Sequence, residues 1–171
     1  LGRAGLGAES DALLKANLER SHSPYYLMSQ LAGNARRRGD TAEALRWSEL
    51  AWQKSQGPAT RLQWGASYLD ALVELAPADA ARIEAVFRQL VGEAVQDAGG
   101  FHDRSARSLQ RAGRKLQEWN GDGRHRPTMA RVQAQLDRDC AKVQADGGAQ
   151  ATCRALLRPG GGGRAAGASE G

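Results

Sequence analysis

The chain has 171 residues, of which 41% are hydrophobic and 25% are charged, and its formal net charge at pH 7 is +5. It contains no run of about 20 consecutive apolar residues, so no segment is a candidate for a transmembrane helix. Isoleucine occurs once and aromatic residues make up only 5% of the chain. This shortage of the residue types that favour strands argues against a β-sheet fold.

The first strong helix signals occur about 20 residues into the chain. Ser23 is a candidate N-cap, and Pro24 is well placed at the first helical position. Gly39 is expected to end this helix, and Asp40 or Thr41 to cap the next one. Because the turn between the two helices is so short, they are expected to lie antiparallel.

Glycine, proline and capping residues that typically end or begin helices recur along the rest of the chain, and they predict further helix pairs. In chain order the predicted segments are a lead-in with a short helix (1–22), helix pairs near 23–56, 60–98 and 101–144, a short last helix (149–157) and a tail (159–171). The tail consists mainly of glycine and alanine and is too poor in apolar residues to form a core, so we expect it to be disordered. The helical domain is therefore predicted to span residues 23–158.

The first helix pair also has the spacing of a known repeat. Residues 28–58 match one tetratricopeptide unit, with Gly39 as the turn glycine. Ala44 and Ala51 occupy positions where short side chains let two helices approach closely. The later pairs match only in a shifted or looser register. We predict an all-α fold of about seven helices, in which antiparallel pairs form a tetratricopeptide-like right-handed superhelix; an irregular helical bundle is the alternative.

A more specific resemblance covers residues 23–120. Three segments show this resemblance: SPYYLMSQLAGNARRRGD at 23–40, AEALRWSELAWQKSQGPATRLQWGASYLDALVELAP at 42–77 and ARSLQRAGRKLQEWN at 106–120. Together they resemble the helical C-terminal region of bacterial thioredoxin-family proteins, which are often described as disulfide isomerases. The resemblance implies an exported, periplasmic protein with a thioredoxin-like domain upstream. The redox Cys-x-x-Cys motif of such a domain is absent here, so no catalytic residue and no cofactor is assigned.

Cys140 and Cys153 are the two cysteines of the chain. A metal site would need more ligands, and His125 is the nearest imidazole, so no metal is expected. A redox pair would usually have Cys-x-x-Cys spacing. Two helices joined by a glycine-containing turn can bring these cysteines together, so we predict a structural disulfide, which forms in an oxidising compartment. Two buried free thiols and a functional redox pair are the alternatives.

Four arginines recur at steps of three and four residues in the predicted helix that begins near residue 101. They are Arg104, Arg107, Arg111 and Arg114, and this spacing places them on one helical stripe. Such a stripe is either a solvated face or a binding site for an acidic polypeptide, a nucleic acid or an anionic lipid. No aromatic residues interleave with these arginines, so nucleic acid is the less expected partner.

The histidines add no catalytic pattern to these features. His22, His102 and His125 are scattered, and neither a Ser–His–Asp arrangement nor a pair of carboxylates at a suitable spacing accompanies them. We therefore expect a non-catalytic accessory domain that holds polypeptide partners beside a redox domain. The alternatives are a thiol–disulfide oxidoreductase that uses Cys140 and Cys153, and a basic helical domain that binds nucleic acid.

Overall fold

Helices fill most of the chain in the computed structural model, which describes residues 7–18, 24–143 and 147–159. These residues form eight α-helices and no strand, so the all-α prediction is confirmed. The helices are α1 (Gly7–Asn17), α2 (Pro24–Arg37), α3 (Thr41–Lys54), α4 (Pro58–Leu75), α5 (Ala80–Val95), α6 (Asp103–Trp119), α7 (Arg126–Ala141) and α8 (Gly147–Ala155). None of them is both long and apolar enough to cross a membrane.

Helix ends mostly follow the predicted signals. Asp40 rather than Thr41 caps α3, because its Oδ1 accepts a hydrogen bond from the backbone N of Glu43 at 3.2 Å. Gly39 lies in the turn before it with a φ of +78°, a conformation that glycine adopts without strain. The predicted Ser23 cap and nearly all of the predicted disordered tail lie outside the described residues.

Contacts divide the chain into two compact units, residues 1–56 and 57–171. In the first unit α2 packs on α3 as the predicted antiparallel pair. Helix α1 joins α2 through a buried polar contact, in which Asn34 Nδ2 donates to Ser10 Oγ at 3.0 Å and to Asp11 Oδ1 at 2.9 Å. The sequence-based domain bounds, 23–158, stay a prediction.

The second unit contains two sets of parallel neighbours. Helix α6 lies beside α4, and hydrogen bonds join residues 44 apart, from Arg104 to Thr60 and from Arg111 to Ser67. Helix α7 lies beside α5, and its hydrogen bonds join residues 47 apart. A constant offset means that the helices run in the same direction, as when one helix pair stacks on the next. The offset exceeds the 34-residue tetratricopeptide period, and the tetratricopeptide and superhelix assignments remain predictions.

The predicted pairing of the helices in residues 101–144 differs from the structure. Helix α6 packs chiefly on α4, and α7 packs on α5 and α8, rather than α6 and α7 chiefly on each other. The segment after α8 also lies against α6, on a part of its surface that the prediction gave to α7. Its residues Leu156 and Leu157 are buried, and the main chain of Leu156 meets α6 at Gly113. We call residues 156–158 the C-terminal segment.

Large apolar side chains from α4 to α7 form the core of this second unit. Those that are exposed by 2% or less include Leu62, Leu69, Leu72, Ile83, Phe87, Leu90, Leu109, Leu116 and Leu136. With so much of its apolar surface buried between neighbouring helices, this unit presents the polar side of α6 on a firmly packed support.

Candidate interaction surface on helix α6

The two cysteines lie where the sequence predicts that they meet. Cys140 on α7 and Cys153 on α8 are fully buried, their sulfurs are 2.04 Å apart and their Cα atoms 5.6 Å apart. These distances are those of a disulfide bond. Exchange requires a thiolate to reach one of the sulfurs, so their burial supports a structural role over a redox role.

The disulfide anchors α8, and the C-terminal segment that comes after it is held by α6. The carbonyl oxygen of Leu156 lies 2.1 Å from the position that a Cβ atom would occupy on Gly113. Gln117 Nε2 donates a hydrogen bond to the carbonyl oxygen of Arg158 at 2.9 Å. The disulfide thus joins α8 to α7, and the segment that follows α8 is held on α6 through its main chain.

The four predicted arginines lie exposed on one side of α6, and we call them the arginine face. Arg104 Nη2 donates to Thr60 Oγ1 at 3.2 Å, and Arg111 Nη2 donates to Ser67 Oγ at 2.8 Å. The opposite side of the helix is buried and carries Ser105, Leu109, Ala112 and Leu116. Within the described ranges, no carboxylate comes within ion-pair distance of these four guanidinium groups.

Beyond the arginine face, the last turn of α6 has the opposite charge. Lys115 Nζ lies 3.7 Å from Asp70 Oδ1 and 3.3 Å from Glu118 Oε2, and it also pairs with Glu74. The hydrogen bond with Glu74, together with the charge of Asp70, raises the pKa of Lys115 above its usual value. Counted by themselves, these four side chains carry a formal net negative charge, because one ammonium group faces three carboxylates. We call them the acidic cluster.

The two histidines that the structure describes lie next to helix ends. The His125 ring stacks on Trp119 with centroids 3.6 Å apart, and Trp119 Nε1 donates to the Pro77 carbonyl oxygen at 2.8 Å. His102 precedes the first residue of α6, and His22 lies outside the described residues. In the described part of the chain, no three His, Cys, Asp or Glu side chains are grouped as metal ligands.

Two features of this unit could not be anticipated from local spacing. The first is a bidentate ion pair, in which Arg61 Nε and Nη2 donate hydrogen bonds to the Glu93 carboxylate at 2.7 and 3.1 Å. This pair lines a cavity of about 370 Å³ at the start of α4. The second is the acidic cluster around Lys115. Arg61 and Glu93 are 32 residues apart, and Lys115 and Glu74 are 41 residues apart. Local spacing indicated only part of the acidic cluster, namely Lys115 with Glu118 on α6 and Asp70 with Glu74 on α4.

Comparison of the chain with family models, with curated proteins and with solved structures finds no match. Over the residues that the structure describes, the chain is all-α, a disulfide joins α7 to α8, and α6 carries a basic surface. Membership of the thioredoxin family is a proposal that rests on the resemblance of residues 23–120.

Proposed function

We propose that this chain is a non-catalytic accessory domain that binds polypeptides. In this proposal it belongs to an exported bacterial protein of the thioredoxin family, such as a disulfide isomerase, and works in the periplasm. The resemblance over residues 23–120 supports the family. The buried Cys140–Cys153 pair supports an oxidising compartment, because disulfides persist there and are rare in the cytosol.

The observation that carries the binding role is the arginine face. Its four guanidinium groups are exposed, and no described carboxylate lies within ion-pair distance of them. Helix α6 lies on α4 and carries the C-terminal segment, so the arginines project from a firmly packed support. Such a surface attracts acidic segments of an unfolded polypeptide. Holding that polypeptide beside a tethered redox domain would raise its effective concentration at the reactive cysteines.

Binding of a labelled unfolded polypeptide tests this function. A small disulfide-bonded protein that has been reduced and alkylated serves as the ligand, and the same protein with its disulfides intact serves as the control. We expect the unfolded form to bind more tightly than the folded form, measured by fluorescence anisotropy, and to bind more weakly as salt screens the charges. Equal binding of both forms, or none at low salt, would contradict the proposal.

Thiol titration separates this function from an oxidoreductase that uses its own cysteines. Both sulfurs are fully buried, so a dithiol reductant can reach them only after α8 opens locally. We expect the native protein to keep its disulfide under a mild dithiol reductant, and to lose it once denaturant is added. Rapid and reversible exchange in the native protein would instead favour the oxidoreductase.

A further inference from the structure

Helices α4 and α6 lie side by side, and their shared surface carries the arginine face and the acidic cluster next to each other. The sign of the charge along this surface therefore reverses within a short distance. The arginine face extends from Arg104 to Arg114, a distance of about 15 Å at the helical rise per residue. The acidic cluster of Asp70, Glu74 and Glu118 around Lys115 follows immediately. A ligand that lies along α6 therefore meets positive charge first and net negative charge next.

Helix α4 holds part of this surface in place before any ligand binds. The hydroxyl groups of Thr60 and Ser67 each accept one hydrogen bond, from Arg104 and Arg111. A hydroxyl is neutral, so the guanidinium charge stays available, and each guanidinium has further N–H donors. Side chains that are already ordered lose less conformational entropy on binding. The two fixed arginines thus form a prepared site for carboxylates.

We propose that this surface docks a polypeptide segment of matching polarity, in which a block of acidic residues adjoins a block of basic residues. The acidic block lies on the arginine face, and the basic residues lie on the acidic cluster. This inference rests on the proposed function and specifies the partner of the same site. It differs from general attraction of acidic chains because it requires that the ligand's acidic and basic residues be separated into two adjoining blocks.

The surface suits such a segment better than a nucleic acid. A continuous polyanion laid along α6 would reach the acidic cluster, whose Asp70, Glu74 and Glu118 side chains are 37%, 45% and 68% exposed. Proteins that bind single strands stack bases on exposed aromatic rings. Trp119, the aromatic residue of α6, is only 8% exposed and is covered by His125.

Two labelled peptides of identical composition test whether the charges must be separated into blocks. In the block peptide a run of glutamates precedes the lysines, and in the interrupted peptide the lysines separate the glutamates. We expect the full chain to bind the block peptide more tightly. The double variant Asp70→Asn/Glu118→Gln should reduce this preference, because it removes exposed negative charge that favours the lysines. Equal affinity of the two peptides for the unmodified chain would overturn the proposal.

Matched arginine variants test the location. Arg107→Gln/Arg114→Gln removes two charges from the arginine face, and Arg126→Gln/Arg138→Gln removes two exposed charges from α7. We expect the first pair to weaken binding of the block peptide about fivefold and the second to leave it unchanged. Circular dichroism checks that each variant keeps its helix content. Equal losses from both pairs, or tighter binding of a single-stranded oligonucleotide than of the peptide, would contradict the proposal.

These results also distinguish the two proposals. If the chain binds unfolded polypeptide and the arginine-face variant binds it equally well, the docking surface is wrong while the proposed function stands. If the chain binds the block peptide and ignores unfolded polypeptide, the surface is right and the holding function is wrong.

Discussion

At Gly113 the main chain of the C-terminal segment comes into close contact with α6. A Cβ atom there would lie 2.1 Å from the carbonyl oxygen of Leu156, far closer than any van der Waals contact, and this obstacle is backbone rather than a flexible side chain. We therefore expect Gly113→Ala to destabilise the protein by about 1–3 kcal/mol, as overpacking does. Chemical denaturation measures the change.

Gly92 provides the matched control for this substitution. It also lies inside a helix, α5, and nothing comes within 4 Å of its Cβ position. Alanine has the better helix propensity, so Gly92→Ala should stabilise the protein by up to about 1 kcal/mol. If Gly113→Ala were equally stabilising, the close contact with Leu156 would be refuted.

Glu93 gives the protein a pH-dependent contribution to stability. The hydrogen bonds from Arg61 lower the pKa of this carboxyl group, and Gln89 lowers it further. A carboxyl group whose pKa is lower in the folded than in the unfolded state contributes stability above its unfolded pKa. That contribution is lost as the pH falls through the folded pKa.

The substitution Glu93→Gln tests this contribution. At about pH 7 we expect the variant to be less stable by roughly 1 kcal/mol, because both side chains are partly exposed and solvent screens the pair. Urea unfolding at a series of pH values should show the difference shrinking as the pH falls below the usual carboxyl range. A difference that stays constant in acid would show that the ion pair is not its source.

At the scale of elements, we expect the α2–α3 pair to depend on small residues where the two helices approach closely. Ala44 is 2% exposed and lies on the buried side of α3. Replacing it with leucine should force the helices apart and cost about 1–3 kcal/mol. Thermal unfolding measures the loss of stability. The control is Ala42→Leu, which places the same side chain at an exposed position of α3. Unchanged stability of Ala44→Leu would argue against close packing at this position.

Helix α8 depends on its anchors because it has only nine residues. A helix of that length is marginal by itself in water, and closing the loop between Cys140 and Cys153 contributes about 3 kcal/mol in the chain-entropy account. We expect Cys140→Ser/Cys153→Ser to speed amide exchange in α8 and the C-terminal segment. Helices α4 and α5 should keep their protection. Loss of protection throughout would mean that the disulfide supports the whole unit.

At the scale of the whole molecule, the chain should behave as a helical protein throughout. The eight helices and the lack of strands in the described ranges predict a far-ultraviolet circular dichroism spectrum of the α type. Reduction of the disulfide should lower the helical signal only slightly, because α8 is short. A substantial sheet component in the spectrum would contradict the architecture.

Much of this architecture follows from local patterns in the sequence. Strand-favouring residues are scarce, and glycine and proline separate segments whose apolar residues recur at helical spacing, so the sequence predicts helices. Steps of three and four residues place Arg104, Arg107, Arg111 and Arg114 on one side of α6. A short connection brings Cys140 and Cys153 together. Each of these features depends on residues close along the chain, so spacing alone predicts it.

The neighbours of each helix depend on packing between distant segments, which local periodicity does not encode. Helix α6 packs chiefly on α4, and it also contacts the C-terminal segment at Gly113. The same stacking brings Lys115 to Glu74, 41 residues away, and creates the acidic cluster beside the arginines. The sequence alone therefore determined a basic stripe, whereas the reversal of charge along the surface arises only when α4 and α6 pack side by side.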